Sequence, residues 1–174
     1  MKQRICCMPG KMKGKLRGTH APKSFKYAAW GLISGSLSIL AIIAVTQMAG
    51  FPLLIGSFGA TAVLLFGAND SPLAQPRNLV GGHLISAVTA VVMVALFGSN
   101  PYSIALTVGM AIFLMYMTGT THPPGGATAL IGVQGHAGFS FILVPVLAGV
   151  LILLAVALFT NNVVRHRQYP KHWI

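Results

Sequence analysis

Long charge-free apolar runs alternate along the chain with short breaks rich in Gly, Pro and polar residues. Runs over 27–48, 79–97, 102–118 and 139–163 are each long enough to cross a bilayer as a helix. The first, at about 1.5 Å per residue, reaches roughly 33 Å against a hydrocarbon core of ~30 Å. Two shorter apolar stretches, 52–67 and 122–133, are interrupted by glycine or preceded by proline. The pattern predicts an all-α, polytopic transmembrane helix bundle of four long helices and two short Gly-broken ones.

The short stretches share a string. Gly59-Ala60-Thr61-Ala62 stands against Gly126-Ala127-Thr128-Ala129, and the same 67-residue offset aligns Gly82 with Gly149, Leu84 with Leu151, Ile85 with Ile152 and Ala90 with Ala157. The expected organisation is therefore two internal repeats, about 30–97 and 97–164, each a long helix, a short Gly-broken helix and a long helix. Paired short, interrupted segments in two halves point to a binding site between them near the bilayer midplane. If the short elements cross, the chain passes six times and the repeats are inverted. If they only dip in, there are four passes and the repeats are parallel. Arg77 beside Asp70 tips the balance slightly to six.

Charge changes this picture mainly at the ends. Twelve Lys and Arg oppose one acid, Asp70, for a formal charge of +11. Of the twelve, only Arg77 lies between the first apolar run and the last. The rest define a basic N-terminal arm over 1–26 and a basic tail over 165–174, flanking a membrane domain over 27–164. Basic flanks of this kind are read as cytoplasmic anchors against anionic headgroups, not as a nucleic-acid surface. Both termini are thus expected in the cytoplasm, with the bilayer as the main partner and a homo-oligomer as a further expectation. Cys6 and Cys7 are adjacent and provide no disulfide framework.

With a single acid there is no carboxylate pair, and no HExxH or CxxC spacing occurs, so neither an enzyme nor a metal or other cofactor is expected. The informative stretch is "TGTTHPPGGATAL" at 118–130. Pro123 and Pro124 suit a first helical turn, and Gly125 and Gly126 would leave backbone amides uncovered by side chains. A helix starting there offers free N–H groups and a positive dipole end, which favours an anion. In the first half, Ser57 is a candidate N-cap of an equivalent start that includes Gly59. Thr61 and Thr128 each add a hydroxyl. His122, protonated, would attract an anion, and His83 is the other ionisable group within a membrane segment. The candidate pathway is therefore Ser57, Gly59, Thr61, His83, His122, Gly125, Gly126 and Thr128.

The run His122-Pro123-Pro124 within that stretch resembles the signature of the HPP family of integral membrane proteins. The strings "LLIGSFGATAVLLFG" at 53–67, "SPLAQPRNLVGGH" at 71–83 and "NNVVRHRQYPKHW" at 161–173 resemble the family as well. The resemblance implies a four-spanning membrane protein associated with transport. Some members from chloroplasts and cyanobacteria are regarded as nitrite transporters, and many are bacterial, so a bacterial plasma membrane is the implied location. The expected function is a transporter or channel for a small, nitrite-like inorganic anion. The alternative is a membrane subunit or scaffold that transports nothing alone.

Overall fold

A computed structural model describes residues 24–174, so the basic arm expected over 1–26 lies almost wholly outside the described residues. Among those residues the only regular structure is helical. The helices are α1 (Phe25–Ala49), α2 (Ser57–Gly67), α3 (Pro76–Phe97), α4 (Pro101–Thr118), α5 (Pro123–Gln134) and α6 (Ile142–Val163). Local chemistry sets their ends. Proline opens α3, α4 and α5, where a missing N–H costs nothing. Asn100 caps α4 by accepting from the Tyr102 and Ser103 amides at 3.0 Å, and the Ser103 hydroxyl accepts from the Asn100 amide in return. α1 and α4 end on Gly50 and Gly119, both in the left-handed conformation that glycine adopts without strain. The expected start of the last helix moves to Ile142, and its first turn is broken at Val144, the residue before Pro145.

α1, α3, α4 and α6 are long and apolar enough to span a membrane. α2 has 11 residues and α5 has 12, which at 1.5 Å each give only about half the hydrocarbon thickness. Non-helical chain completes their length. Residues 51–56 add up to ~20 Å before α2, and residues 119–122 up to ~13 Å before α5.

Hydrogen bonds fix the directions. Arg167, just after α6, bonds the Tyr27 carbonyl at the start of α1 and the Phe66 carbonyl at the end of α2. Lys171 and Tyr169 bond Gln75 and Ala74, immediately before α3. Arg77, in the first turn of α3, donates to the Thr118 carbonyl at the end of α4. One end of the molecule, the tail end, therefore holds the start of α1, the ends of α2, α4 and α6, and the start of α3. At the far end, residues 51–56 descend along α1, with the Leu53 amide bonded to the Thr46 hydroxyl. The chain thus runs between the two ends six times in alternating directions, and among the described residues four of those helices are long and apolar enough to span a membrane by themselves. Elements paired by the 67-residue offset run in opposite directions.

The core is built from small residues facing large ones. A Cβ on Gly149 would overlap the Phe58 ring, and one on Gly132 would lie 2.6 Å from the Ala90 methyl. Such glycines let helices approach where packing replaces the hydrophobic drive. Phe58, Ile42, Leu65, Leu79, Val150 and Leu153 fill the space between α1, α2, α3 and α6. Leu32, Leu40, Leu96, Phe113 and Phe159 are exposed around the outside, as a lipid-facing surface requires.

Candidate functional site

α2 and α5 begin next to each other in the interior and run to opposite ends. Their first turns overlap antiparallel: Ser57 of α2 lies against Thr128 of α5, and Thr61 of α2 against His122 at the start of α5. α3 closes the third side with His83. Ser57, Thr61, His83, His122 and Thr128 are all completely buried. All five belong to the pathway expected from the sequence, and the fold gathers them into one hydrogen-bonded chain.

The contacts run in order. The Thr128 hydroxyl donates to Ser57 Oγ at 2.8 Å, and His83 Nδ1 lies 2.7 Å from Thr128 Oγ1. His83 Nε2 lies 2.8 Å from Thr61 Oγ1, and Thr61 Oγ1 lies 3.2 Å from His122 Nε2. His122 Nδ1 donates to the Leu73 carbonyl at 2.7 Å. Since a carbonyl only accepts, that bond puts a proton on His122 Nδ1 and leaves Nε2 facing Thr61. The two imidazole rings are 4.9 Å apart, and Phe58 packs edge-on to His83 at 5.6 Å. Asn78 steadies the segment before His122 by donating to the Thr121 carbonyl at 2.8 Å.

The three expected glycines lie outside this chain of side-chain contacts. Gly125 is a packing residue: its amide donates to the His122 carbonyl at 2.8 Å, and a Cβ there would sit 2.9 Å from the Gly82 carbonyl oxygen. Gly126 faces a shallow cavity of about 280 Å³ with Ile112, Met115 and Tyr116 of α4, and Gly59 lines a groove of about 750 Å³ between α1 and α2. Neither glycine borders the histidines. The starts of the helices are not bare either. The Phe58 and Gly59 amides bond the Ile55 and Gly56 carbonyls, and Gly56, not Ser57, is the N-cap of α2. Hydroxyls and imidazoles, rather than uncovered amides, make up the polar surface here. The two cavities just described are lined by no side chain of the cluster.

Ser86 joins the site unforeseen. It lies three residues after His83 on α3, on the same face, fully buried, and its hydroxyl has no protein partner. A Cβ on Gly125 would be 2.8 Å from Ser86 Oγ, so this hydroxyl abuts the first turn of α5. The signal available in the sequence was its i+3 spacing from His83.

A second polar cluster secures the tail end. Arg167, expected as a solvated anchor, is 8% exposed. Its guanidinium donates to the Phe66 carbonyl at 2.8 Å, to Asn161 Oδ1 at 3.1 Å and to the Tyr27 carbonyl at 2.9 Å. Asn161 in turn donates to the Leu65 carbonyl. Together they satisfy carbonyls that the end of α2 leaves open. The buried Tyr169 hydroxyl donates to the Ala74 carbonyl at 2.8 Å, next to the Leu73 carbonyl that orients His122. Burial lowers the Arg167 pKa and pushes the Tyr169 hydroxyl up. Asp70 pairs with Lys171 at 3.4 Å on the exposed surface, where such pairs contribute little.

Residues 20–170 match the family described as "HPP, transmembrane region". Two transmembrane proteins of Dictyostelium discoideum are similar to the chain. One is 53% identical over 128 residues, which cover 69% of this chain and 45% of that protein. The other is 47% identical over 156 residues, covering 83% of this chain and 50% of that protein. The chain thus spans about half the length of these relatives. No solved structure matches it. The match over residues 20–170 takes in both short helices, His83, the His122-Pro123-Pro124 run and the tail clamp, and on it the chain belongs to the HPP family of transmembrane proteins.

Proposed function

We propose that this chain carries a small inorganic anion, nitrite-like in size and charge, through the junction of α2 and α5. One observation supports this reading above the rest. Two short helices, running to opposite ends, start beside the same buried set of two imidazoles and three hydroxyls. Both helix dipoles point their positive ends into that set. The unpartnered Ser86 hydroxyl next to α5 is a further donor for an anion there. In the arrangement described the junction is closed by its own hydrogen bonds, so the passenger takes the place of some of them. The test is nitrite uptake into liposomes containing the purified chain. Uptake that falls to the protein-free level in His122→Ala and Ser86→Ala, at unchanged insertion, supports the reading. Wild-type flux in both variants overturns it.

The closed packing favours a second reading, a membrane subunit that carries nothing alone and uses the cluster to hold α2, α3 and α5 together. Under that reading wild-type liposomes take up no small anion, and His122→Ala lowers the melting temperature without any transport phenotype.

A further inference from the structure

The cluster contains more than one way to satisfy itself, and the two ways differ by one proton. In one orientation the Ser57 hydroxyl donates to Thr128, Thr128 to His83 Nδ1, His83 Nε2–H to Thr61, and Thr61 to His122 Nε2. These side-chain contacts are then all made with both histidines neutral, and His122 Nδ1–H still serves the Leu73 carbonyl; the Thr61 hydroxyl gives up its 3.1 Å bond to the Ser57 carbonyl, and Thr128 its 3.4 Å approach to the Pro124 carbonyl. In the other orientation Thr128 donates to Ser57, which is the direction its geometry favours. Thr128 Oγ1 must then accept from His83 Nδ1–H. That leaves His83 Nε2 as an acceptor for the Thr61 hydroxyl. The single Thr61 proton is now used, so the 3.2 Å contact to His122 Nε2 requires a proton on that nitrogen. The second orientation is complete only when His122 is an imidazolium.

We propose that Ser57, Thr128, His83, Thr61 and His122 form a proton relay that charges and discharges His122 from the Ser57 end, so that the proton is the coupling ion of the anion pathway. The role of the charge rests on the function proposed above; the relay itself does not. The donor is an oxonium ion or the acid form of the passenger. It places a proton on Ser57 Oγ while the original Ser57 proton passes to Thr128 Oγ1. The Thr128 proton passes to His83 Nδ1, the His83 Nε2 proton to Thr61 Oγ1, and the Thr61 proton to His122 Nε2. At each atom one bond to hydrogen breaks and one forms, and one positive charge appears on His122. The relay stops there, because the Leu73 carbonyl cannot pass a proton on. Discharge runs the same steps backwards and returns His83 to its first tautomer.

The groups around His122 are accounted for. From α3 it faces His83, the other titratable side chain, and from α2 the Thr61 hydroxyl. The segment before α3 contributes the Leu73 carbonyl. Arg77 is engaged with the Thr118 carbonyl and Asp70 with Lys171, so neither supplies a counter-charge.

The distinctive consequence is that the His83 tautomer follows the charge on His122. Nitrogen-15 NMR of the full chain in lipid bilayers reads both. Resonances are assigned by their loss in His83→Gln and His122→Gln. On going from about pH 8 to about pH 4, His122 becomes doubly protonated and His83 switches from Nε2–H to Nδ1–H in step. Thr61→Val, which keeps the shape and removes the central hydroxyl, uncouples the two events; Thr61→Ser restores them. The relay is overturned if His83 keeps one tautomer while His122 charges, if His122 never charges in this range, or if Thr61→Val leaves the switch intact. In liposomes with an internal pH dye, one proton enters per nitrite. Nitrite uptake without the tautomer switch defeats the relay and leaves the anion pathway standing. The switch without any nitrite uptake does the reverse.

Discussion

Adding one methyl group at Gly82 tests whether the close approach of α3 to the start of α5 sets the site. A Cβ there would lie 2.5 Å from His122 Cβ and 2.9 Å from the Thr120 carbonyl oxygen. Carbon atoms in contact prefer about 3.5–4.0 Å, so Gly82→Ala forces roughly 1 Å of separation. Both clashing groups are backbone or Cβ, and no side-chain rotation relieves them. Moving His122 by that amount stretches its 3.2 Å contact with Thr61 past hydrogen-bond range and strains its 2.7 Å bond to Leu73. Overpacking of this kind costs about 1–3 kcal/mol. At roughly 2–4 °C per kcal/mol for a chain of this size, the melting temperature in detergent falls by about 2–12 °C. Helix propensity favours alanine over glycine by up to about 1 kcal/mol, which pulls toward the lower figure. Gly126→Ala is the matched control, because nothing lies within 4 Å of its Cβ position. There propensity acts alone, and the melting temperature stays level or rises. The readouts are thermal melts of both variants in detergent and their nitrite uptake in liposomes. A Gly82→Ala protein that melts at or above wild type, with Gly126→Ala below it, would show that the approach of α3 to His122 is not as tight as described.

Three further substitutions probe other parts of the same argument. His83→Ala removes the shared partner of the buried Thr61 and Thr128 hydroxyls, which keep Ser57 and His122 as other partners, so the cost is that of two net hydrogen bonds, about 0.5–1.5 kcal/mol each, and thermal melts should show a loss of at least one of them. Arg167→Lys keeps the charge but cannot reach the three acceptors in the same geometry with one ammonium group; protease cleavage near the tail end of α2 should rise in it and in Arg167→Ala alike. Tyr169→Phe concerns pH. Burial raises the Tyr169 pKa in the folded chain above its unfolded value of about 10. Its contribution is therefore complete below about pH 10 and is lost as pH rises towards the folded value. The phenylalanine variant should be less stable at neutral pH, by about 1 kcal/mol for the missing bond to Ala74, and should lose less stability on going to alkaline pH.

The helices were legible because a lipid-embedded chain writes them as apolar runs, and their boundaries as prolines, glycines and the Asn100 cap. The five buried polar residues of the site were legible for the same reason: Ser57, Thr61, His83, His122 and Thr128 stand out against apolar surroundings. What they bond to was not legible. Gly125 and Gly126 are adjacent and identical, yet one faces the Gly82 carbonyl and the other opens towards α4. A shift of 100° around a helix separates packing from exposure, and a glycine carries no side-chain pattern to reveal which side it is on. The tail clamp was hidden by a general rule. Basic residues after a last span are ordinarily solvated anchors, and nothing local distinguishes Arg167 from Arg165. Only the carbonyls of Tyr27 and Phe66, about a hundred residues or more away in the chain, give Arg167 its role.

The scarcity of acids bears on how strict the proposed coupling is. The chain has one carboxylate, Asp70, and it sits at the surface against Lys171. An imidazolium at His122 therefore has no internal counter-ion. A buried unpaired charge is strongly unfavourable, and so is an anion placed among neutral imidazoles and hydroxyls. Each charge removes much of the penalty of the other, since their attraction is large where water is excluded. Near neutral pH, proton and anion are then each poorly tolerated alone and well tolerated together, and only acid conditions charge His122 without the anion. The arrangement favours joint movement of one of each without any moving gate that senses both. Under this scheme liposomes containing the wild-type chain show neither a proton leak without nitrite nor nitrite flux that charges the membrane. Introducing an acid beside the site, as in Ser86→Asp, supplies the missing counter-charge. It should hold His122 protonated and stop nitrite uptake while the protein still inserts. Undiminished uptake in that variant would mean that the charge on His122 is not what the passenger pairs with.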